Sequence, residues 1–282
     1  MKAKSNLLIT GANGFIGQNL VASFQSHYNV YSLVNGQQFE RSGNHIVCDL
    51  TNHLHINQLL KEELVLDVLI HCATKMTNAS TSKAMTVFYE NIAMYENISE
   101  ISKHYNVQKI INFSSIAVYP NQDGEHFEHS LIRPSINAEG LYGLSKFCGE
   151  NLLDLFHKET NTQIVHCRVA QTYGQGMRED RIFKIMQKEL EETNVITIQG
   201  NGERVSGFIK IDFLVKCIDL FIQKQTEGVY NIGEENLTYR TLAQNIINQY
   251  GNNSSHIKVV PYGVSSKCFI NCDKLNSLIS AN

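Results

Sequence analysis

The sequence predicts an α/β protein: a doubly wound parallel sheet with a small C-terminal substrate-binding cap. Three observations carry that reading. Short apolar runs alternate with segments of helical periodicity as far as Val169, with no internal repeat, linker or low-complexity stretch. The first apolar run is followed at once by glycines spaced by three. Beyond Tyr173 the alternation yields to shorter, polar, glycine-bearing segments. A chain of 282 residues holds one such domain, or one and a half, with ample core.

Leu7, Leu8 and Ile9 read as a buried first strand, and Ile16, Leu20, Val21 and Phe24 repeat at helical intervals after it. Between them lies Thr10-Gly11-Ala12-Asn13-Gly14-Phe15-Ile16-Gly17. Gly11 suits the unusual dihedrals of a tight turn, Gly14 admits a pyrophosphate to bare backbone, and Gly17 lets the helix pack close to the sheet. Strand, turn and helix in this order indicate a dinucleotide site, with the phosphates on the N–H groups at the new helix's positive end. An ordinary glycine-rich turn is the alternative.

Val30 to Val34 forms the second strand, and the ribose position at its end is Val34-Asn35-Gly36. A carboxylate there would bind the 2′-hydroxyl of NAD. None is present and the nearest arginine is Arg41, so NADP is expected to bind at least as well as NAD. Ile46 to Thr51 reads as a third strand, with Asp49 also available to cap a helix through Ile56, Leu59 and Leu60. Val65 to Ala73 is an apolar central strand. A helix over Val87 to Ile101 carries Asn91, and Lys109 to Ser115 is the fifth strand. A helix over Glu139 to Phe156 carries Tyr142 and Lys146, and Ile164 to Val169 is the sixth strand. A polar stretch from Gly174 to Arg181 follows, then a helix over Ile182 to Leu190, a strand over Val195 to Ile198 and a Gly200-Asn201-Gly202 turn. Phe208 to Phe221 and Val229 to Ile232 return to the sheet. The domain assignment is therefore 1–173 plus 206–232 for dinucleotide binding, and 174–205 plus 233–282 for a small substrate-binding cap.

The net charge of −3, without any basic block, points away from nucleic-acid and membrane surfaces. No apolar run approaches a membrane span, and six residues before the first strand are too few for a signal peptide. The seven cysteines are scattered with no Cys-x-x-Cys pair, which argues against a metal site and for reduced thiols in a cytoplasm.

Tyr142 and Lys146, four apart, share a helix face. A phenol with a pKa near ~10 needs roughly 4 kcal/mol of preference for the phenolate to act as a base at neutral pH. A neighbouring ammonium and a cationic nicotinamide supply that. Ser114-Ser115 ends the fifth strand, where open α/β sheets place their ligands, and a hydroxyl there bonds a carbonyl or alcohol that Tyr142 protonates or deprotonates. Each feature alone is common; the three in this order are specific.

The chain resembles, over nearly its whole length, the extended short-chain dehydrogenase/reductases, the NAD-dependent sugar epimerases, dehydratases and 4-ketoreductases built on a Rossmann sheet. The resemblance rests on Thr10 to Gly17, Asp49-Leu50-Thr51, His71-Cys72-Ala73, Asn91, Phe113 to Tyr119, Tyr142 to Lys146, Arg168, Tyr173-Gly174, Gly200 to Gly202 and Tyr230 to Gly233. It implies that Ser115 is the catalytic hydroxyl, Tyr142 the acid/base, and Lys146 the group that grips the nicotinamide ribose and lowers the tyrosine pKa. It also implies that Asp49 and Leu50 hold the adenine, that Ala73, Thr74 and Asn91 line the cofactor, and that the substrate is a nucleotide-linked sugar.

Three positions depart from the family pattern. The asparagine after the sixth strand is Gln171, the diphosphate arginine before Phe208 is Ser206 followed by Gly207, and the later arginine is replaced by Lys267. Arg178, Arg181 and Arg204 are candidates to restore the charge, so Gln171, Arg178, Arg204 and Ser206 form the expected substrate set. Relatives also continue beyond Lys274-Leu275, so the cap is expected to be small. Ile116-Ala117 stands where dehydratases carry an Asp-Glu pair, which disfavours elimination. The expected reaction is reduction of a 4-keto sugar by NAD(P)H, with a 4-epimerase as the alternative and a non-catalytic NAD(P)-binding sensor or scaffold as the reading from another class. The family also implies a homodimer through the helices after the fourth and fifth strands.

Overall fold

A computed structural model describes residues 4–76 and 84–281. It divides into two compact units. The first runs to Pro120 and takes in Leu131–Arg168 and Val215–Tyr230; the second comprises Asn121–Ser130, Val169–Leu214 and residues from Asn231 onward.

The main sheet is built from β1 (Asn6–Thr10), β2 (Asn29–Val34), β3 (Glu40–Ser42), β4 (His45–Val47), β5 (Val68–His71) and β6 (Lys109–Ser115), with β8 (Gln163–Val169) and β12 (Gly228–Ile232) beyond them. The order is β12-β8-β6-β5-β1-β2-β4-β3. Pairing is parallel from β4 through β2, β1 and β5 to β6, and β3 runs antiparallel on β4. The chain leaves β1 toward β2 on one side and returns through β5 on the other. That reversal opens the crevice in which such sheets bind ligands. The helices of this unit are α1 (Phe15–Phe24), α2 (His53–Leu59), α3 (Met85–His104) and α4 (Gly140–His157), with most of α6 (Ile211–Gln223). Leu8, Leu33, Ile46, Leu69, Ile98, Ile110 and Leu153 centre its core.

Helix α4 forms on an apolar and polar stripe at helical spacing: Tyr142, Lys146, Gly149, Glu150, Leu153 and His157 are all buried. Two glycines set how closely it lies. A Cβ on Gly143 would stand 2.1 Å from the carbonyl oxygen of Ala117, and one on Gly149 would stand 2.1 Å from the Tyr95 ring on α3.

In the second unit, β11 (Val205–Lys210) pairs with β9 (Gln171–Tyr173) and β13 (Glu235–Thr238) in a three-stranded sheet. β10 (Val195–Gln199) pairs with β14 (His256–Val260), and β7 (Gly124–His126) with β15 (Cys268–Ile270). α5 (Ile182–Thr193) and α7 (Tyr239–Tyr250) bury Met186, Leu190, Leu242 and Ile246 against Ile196, Ile198 and Phe208, and α8 is Asp273–Ser280.

The compact units group the chain in their own way, and two local elements differ from the sequence reading. Residues 121–130, 169–173, 206–214 and 231–232 lie with the second unit, because β11 finds its strand partners in β9 and β13 and because β7 pairs with β15. The third strand is the short β4, preceded by a β3 hairpin turning at Gly43, whose φ is +59°. Finally, Asn52 rather than Asp49 caps α2, its side chain accepting from Leu54 N at 2.9 Å.

Gly17 lies where a Cβ would stand 2.2 Å from the carbonyl oxygen of Gly11, a backbone atom with no freedom to retreat. Gly17→Ala should therefore lower stability by about 1–3 kcal/mol, read from the urea midpoint at unchanged slope.

Candidate active site

The turn after β1 is shaped for an anion. Gly11 has a φ of +63°, and a Cβ on it would stand 2.8 Å from Ala73 N at the end of β5. Thr10 Oγ1 locks the two strand ends, accepting from Ala73 N at 3.2 Å and bonding His71 Nδ1 at 2.9 Å. Gly14 is the N-cap of α1 and offers its first turn no side-chain oxygen, and that turn carries no acid. Asn13 and Gly14 are exposed. The N–H groups at Phe15 and Ile16 thus open a helix whose end favours negative charge. A cradle that any Cβ would fill is what a dinucleotide's pyrophosphate needs.

Beyond the turn, the Asp49 carboxylate accepts from Thr51 N and Thr51 Oγ1, both at 2.8 Å. The Leu50 carbonyl receives Asn97 Nδ2 at 2.7 Å, which fixes this loop from α3. Asn35 is exposed at the end of β2, whereas Arg41 is committed to Glu62 at 2.6 Å and to the Gly43 carbonyl at 3.1 Å. Asn91 is buried with its amide spent inside the protein. Its oxygen accepts from Lys75 N at 2.7 Å and Thr74 Oγ1 at 3.2 Å, and its nitrogen donates to Ser145 Oγ at 2.9 Å and Lys75 O at 3.1 Å. Asn91 is therefore a strut that fixes the loop after β5 to α4, and not an open contact.

Ser115, Tyr142 and Lys146 lie in the first unit. Ser115 Oγ accepts from Ala117 N at 3.1 Å and so caps the short 3-10 turn Ile116–Val118. Gly143 presses on that same turn, which seats the start of α4 beside it. Lys146 Nζ stands 5.7 Å from the centroid of the Tyr142 ring and 5.7 Å from that of Tyr95. Lys146 is only 1% exposed. Burial pushes its ammonium down to about 8, against the opposing pull of Cys72 and Glu150. Burial, with Lys146 second, holds His71 well below the usual imidazole range, so His71 is neutral. Burial also keeps the Cys72 thiol protonated.

Sequence reasoning passed over Glu150, although its place one turn after Lys146 on the same face was a visible signal. It is 3% exposed and its carboxylate takes Arg168 Nε at 3.0 Å and Nη2 at 2.7 Å.

In the second unit Gln171 Nε2 donates to Ser206 Oγ at 2.8 Å, a neutral pair. The Arg204 guanidinium lies 4.7 Å above the Tyr239 ring, its buried Nε without a hydrogen-bond partner. Arg178 is drawn into an exposed pair with Asp180, and Lys267 pairs with Glu203 at 3.3 Å. Gln171 and Ser206 are thus joined, while Arg178 is held by its own local acid.

Because the folded-state pKa of Lys146 lies below 10.5, the unfolded chain binds its proton more tightly. The cost to stability is full below pH 8 or so and fades as the pH rises to the unfolded value. Lys146→Met should therefore stabilise the ligand-free protein at pH 7 by on the order of 1–3 kcal/mol. That gain should shrink toward pH 10.5 in urea titrations.

The chain is 27% identical over 268 residues to a dTDP-4-dehydro-6-deoxyglucose reductase of Escherichia coli, covering 86% of this chain and 81% of that one. It is 25% identical over 231 residues to a GDP-6-deoxy-D-talose 4-dehydrogenase of Aggregatibacter actinomycetemcomitans, covering 79% and 73%. Its fold matches that of a UDP-N-acetylglucosamine 4-epimerase from Methanobrevibacter ruminantium, solved with UDP-N-acetylmuramic acid. That match has a TM-score of 0.83 at 20% identity, over 98% of this chain and 92% of the other. The family model for the NAD dependent epimerase/dehydratase family matches residues 7–233, and the chain belongs to that family of enzymes.

Proposed function

We propose that this enzyme reduces a nucleotide-linked 4-keto sugar to the 4-hydroxy sugar, consuming one reduced nicotinamide per product. The relay of Ser115, Tyr142 and Lys146 supports carbonyl chemistry, and the observation that supports reduction is the neutral Gln171–Ser206 pair. An epimerase has to hold its keto intermediate through a full cycle, which calls for firm charged anchoring of the diphosphate. A neutral pair favours release after each turnover. The similarity to a 4-dehydro sugar reductase supports the same choice.

Bound nicotinamide supplies the hydride. Tyr142 donates the proton to the carbonyl oxygen, and the Ser115 hydroxyl bonds that oxygen and polarises it. The buried Lys146 ammonium lowers the cost of the phenolate that Tyr142 leaves behind. The turn over Gly11, Asn13, Gly14, Phe15 and Ile16 holds the pyrophosphate, Asp49 and Leu50 the adenine, and Ala73 and Thr74 the wall between. In the substrate-binding unit Gln171, Ser206 and Arg204 face the nucleotide; Arg178 contributes only if it leaves Asp180. NADP(H) serves at least as well as NAD(H), since no carboxylate stands at Val34 to Gly36 to repel a 2′-phosphate.

The enzyme works as a homodimer in the cytoplasm. Tyr89 on α3 and Leu155 and Phe156 on α4 are exposed apolar groups on two packed helices, which supports self-association there. All seven cysteines are free thiols, in keeping with a reducing compartment. No helix among the described residues is long and apolar enough to cross a membrane.

Incubation with NADH or NADPH and a panel of UDP-, dTDP- and GDP-linked 4-keto sugars should cause stoichiometric loss of reduced-nicotinamide absorbance. Interconversion of 4-hydroxy epimers without net cofactor consumption would make the enzyme an epimerase. Tyr142→Phe should cut turnover by roughly 10²–10⁴ with cofactor affinity unchanged, whereas Lys146→Met should damage both.

Val34→Asp should shift preference toward NAD(H). Calorimetry showing tight NAD(H) and no NADP(H) binding to the unaltered protein would refute the cofactor reading.

A further inference from the structure

Ser115, Tyr142 and Lys146 stand on two elements, β6 and α4, and one buried carboxylate joins them. Glu150 lies on α4 one turn beyond Lys146 and two beyond Tyr142. Its Oε1 receives the Ser114 hydroxyl and Arg168 Nε, and its Oε2 receives Arg168 Nη2. Arg168 Nη1 goes on to donate to the Tyr119 phenolic oxygen at 2.9 Å. Ser114 directly precedes Ser115, and Tyr119 closes the turn that Ser115 opens, its N–H donating to Ile116 O at 3.1 Å. Both ends of the segment carrying Ser115 are therefore held by the same carboxylate, one directly and one through Arg168. An ion pair serving stability alone would need Arg168 and nothing more.

The groups acting on Lys146 strengthen the point. His71 and Cys72 face it from the end of β5, Tyr95 from α3, and Tyr142 and Glu150 from α4 itself. Neutral His71 brings no negative charge, whereas Cys72 and Glu150 both oppose the burial that lowers Lys146. Of those two, Glu150 is the one held in an ion pair, with Arg168 Nη2 at 2.7 Å.

We propose that Glu150 is a positioning residue of the relay: its carboxylate clamps both ends of the Ser115 segment to the helix bearing Tyr142 and Lys146, and it is the counter-charge to the buried ammonium. This rests on Ser115, Tyr142 and Lys146 acting as the proton relay.

The test has an arm that needs no substrate. Titrating the Tyr142 phenolate by ultraviolet difference, each protein against its Y142F counterpart with saturating NAD, gives a midpoint. In Glu150→Gln that midpoint should rise by about one pH unit, a tenfold change in proton affinity. Should Glu150→Gln leave Arg168 unpaired and unfold, Glu150→Gln with Arg168→Met buries no lone charge and should show the same rise. A midpoint equal to the unaltered protein's in whichever of the two folds overturns the counter-charge. Ser114→Ala keeps the carboxylate and the ion pair, so its midpoint should not move. Its kcat on the keto sugar of the panel that is turned over should fall about tenfold, with KM for the nicotinamide cofactor unchanged. Unaltered kcat in Ser114→Ala overturns the clamp. Loss of turnover on the whole panel by the unaltered protein, with the midpoint still rising in Glu150→Gln, would refute the reductase reading and leave the counter-charge standing.

Discussion

A charged ammonium held out of water is the constraint on which the first unit depends. Lys146 is 1% exposed, and burying such a group costs several kcal/mol even after relaxation. The helix that carries it brings Tyr142 and Glu150 to the same face, and α3 brings the Tyr95 ring over the ammonium. Each neighbour lowers the electrostatic cost without cancelling it, which is why the group stays below its usual range. Packing follows from the same need. Gly143 and Gly149 let α4 lie close enough to the Ile116–Val118 turn and to Tyr95 for these charges and dipoles to act at short range. A lysine in water would leave a neighbouring phenol almost unperturbed.

The second constraint is steric and lies at the reversal of the sheet. Three chain segments meet there: the end of β1, the end of β5 and the start of α1. Gly11 and Gly17 are the points at which they touch, with hypothetical Cβ contacts of 2.8 Å and 2.2 Å to backbone atoms. Gly14 differs, its nearest atom at 3.2 Å and its outer side exposed. The three glycines therefore do different work. Two close the crevice and one leaves it open to a ligand.

Much of this was legible in the sequence. The fifth strand was read at its true limits, Lys109 to Ser115, and α4 was displaced by one residue at each end, because both carry strong apolar periodicity. The β3–β4 hairpin escaped notice because two three-residue strands leave too few positions for alternation to register. Residues 206–214 group with the second compact unit for another reason. β11 is nearly all buried and reads like a strand of the main sheet, and pairing partners distant in sequence decide where such a strand goes. Asn91 was visible as a motif residue, but its role was not, since four hydrogen bonds to two other segments appear only on folding.

Glu150 shows where pattern reading runs out. On a helical wheel it falls among buried positions, and a carboxylate there conflicts with the apolar stripe that the period demands. Such conflicts mark sites where function has displaced stability. The resolution needs β8: Arg168, a charged residue buried in that strand, is the complementary anomaly. Two misplaced charges on elements that pack together imply one another. An ion pair alone would not explain why Ser114 and Tyr119, which flank Ser115, are bound into it as well. Replacing the pair by apolar side chains would fill the space and spare the desolvation cost, yet it would leave the Ser115 segment without directional bonds to α4. The polar interior between β6, β8 and α4 is thus what ties the Ser115 segment to the helix that carries Tyr142 and Lys146.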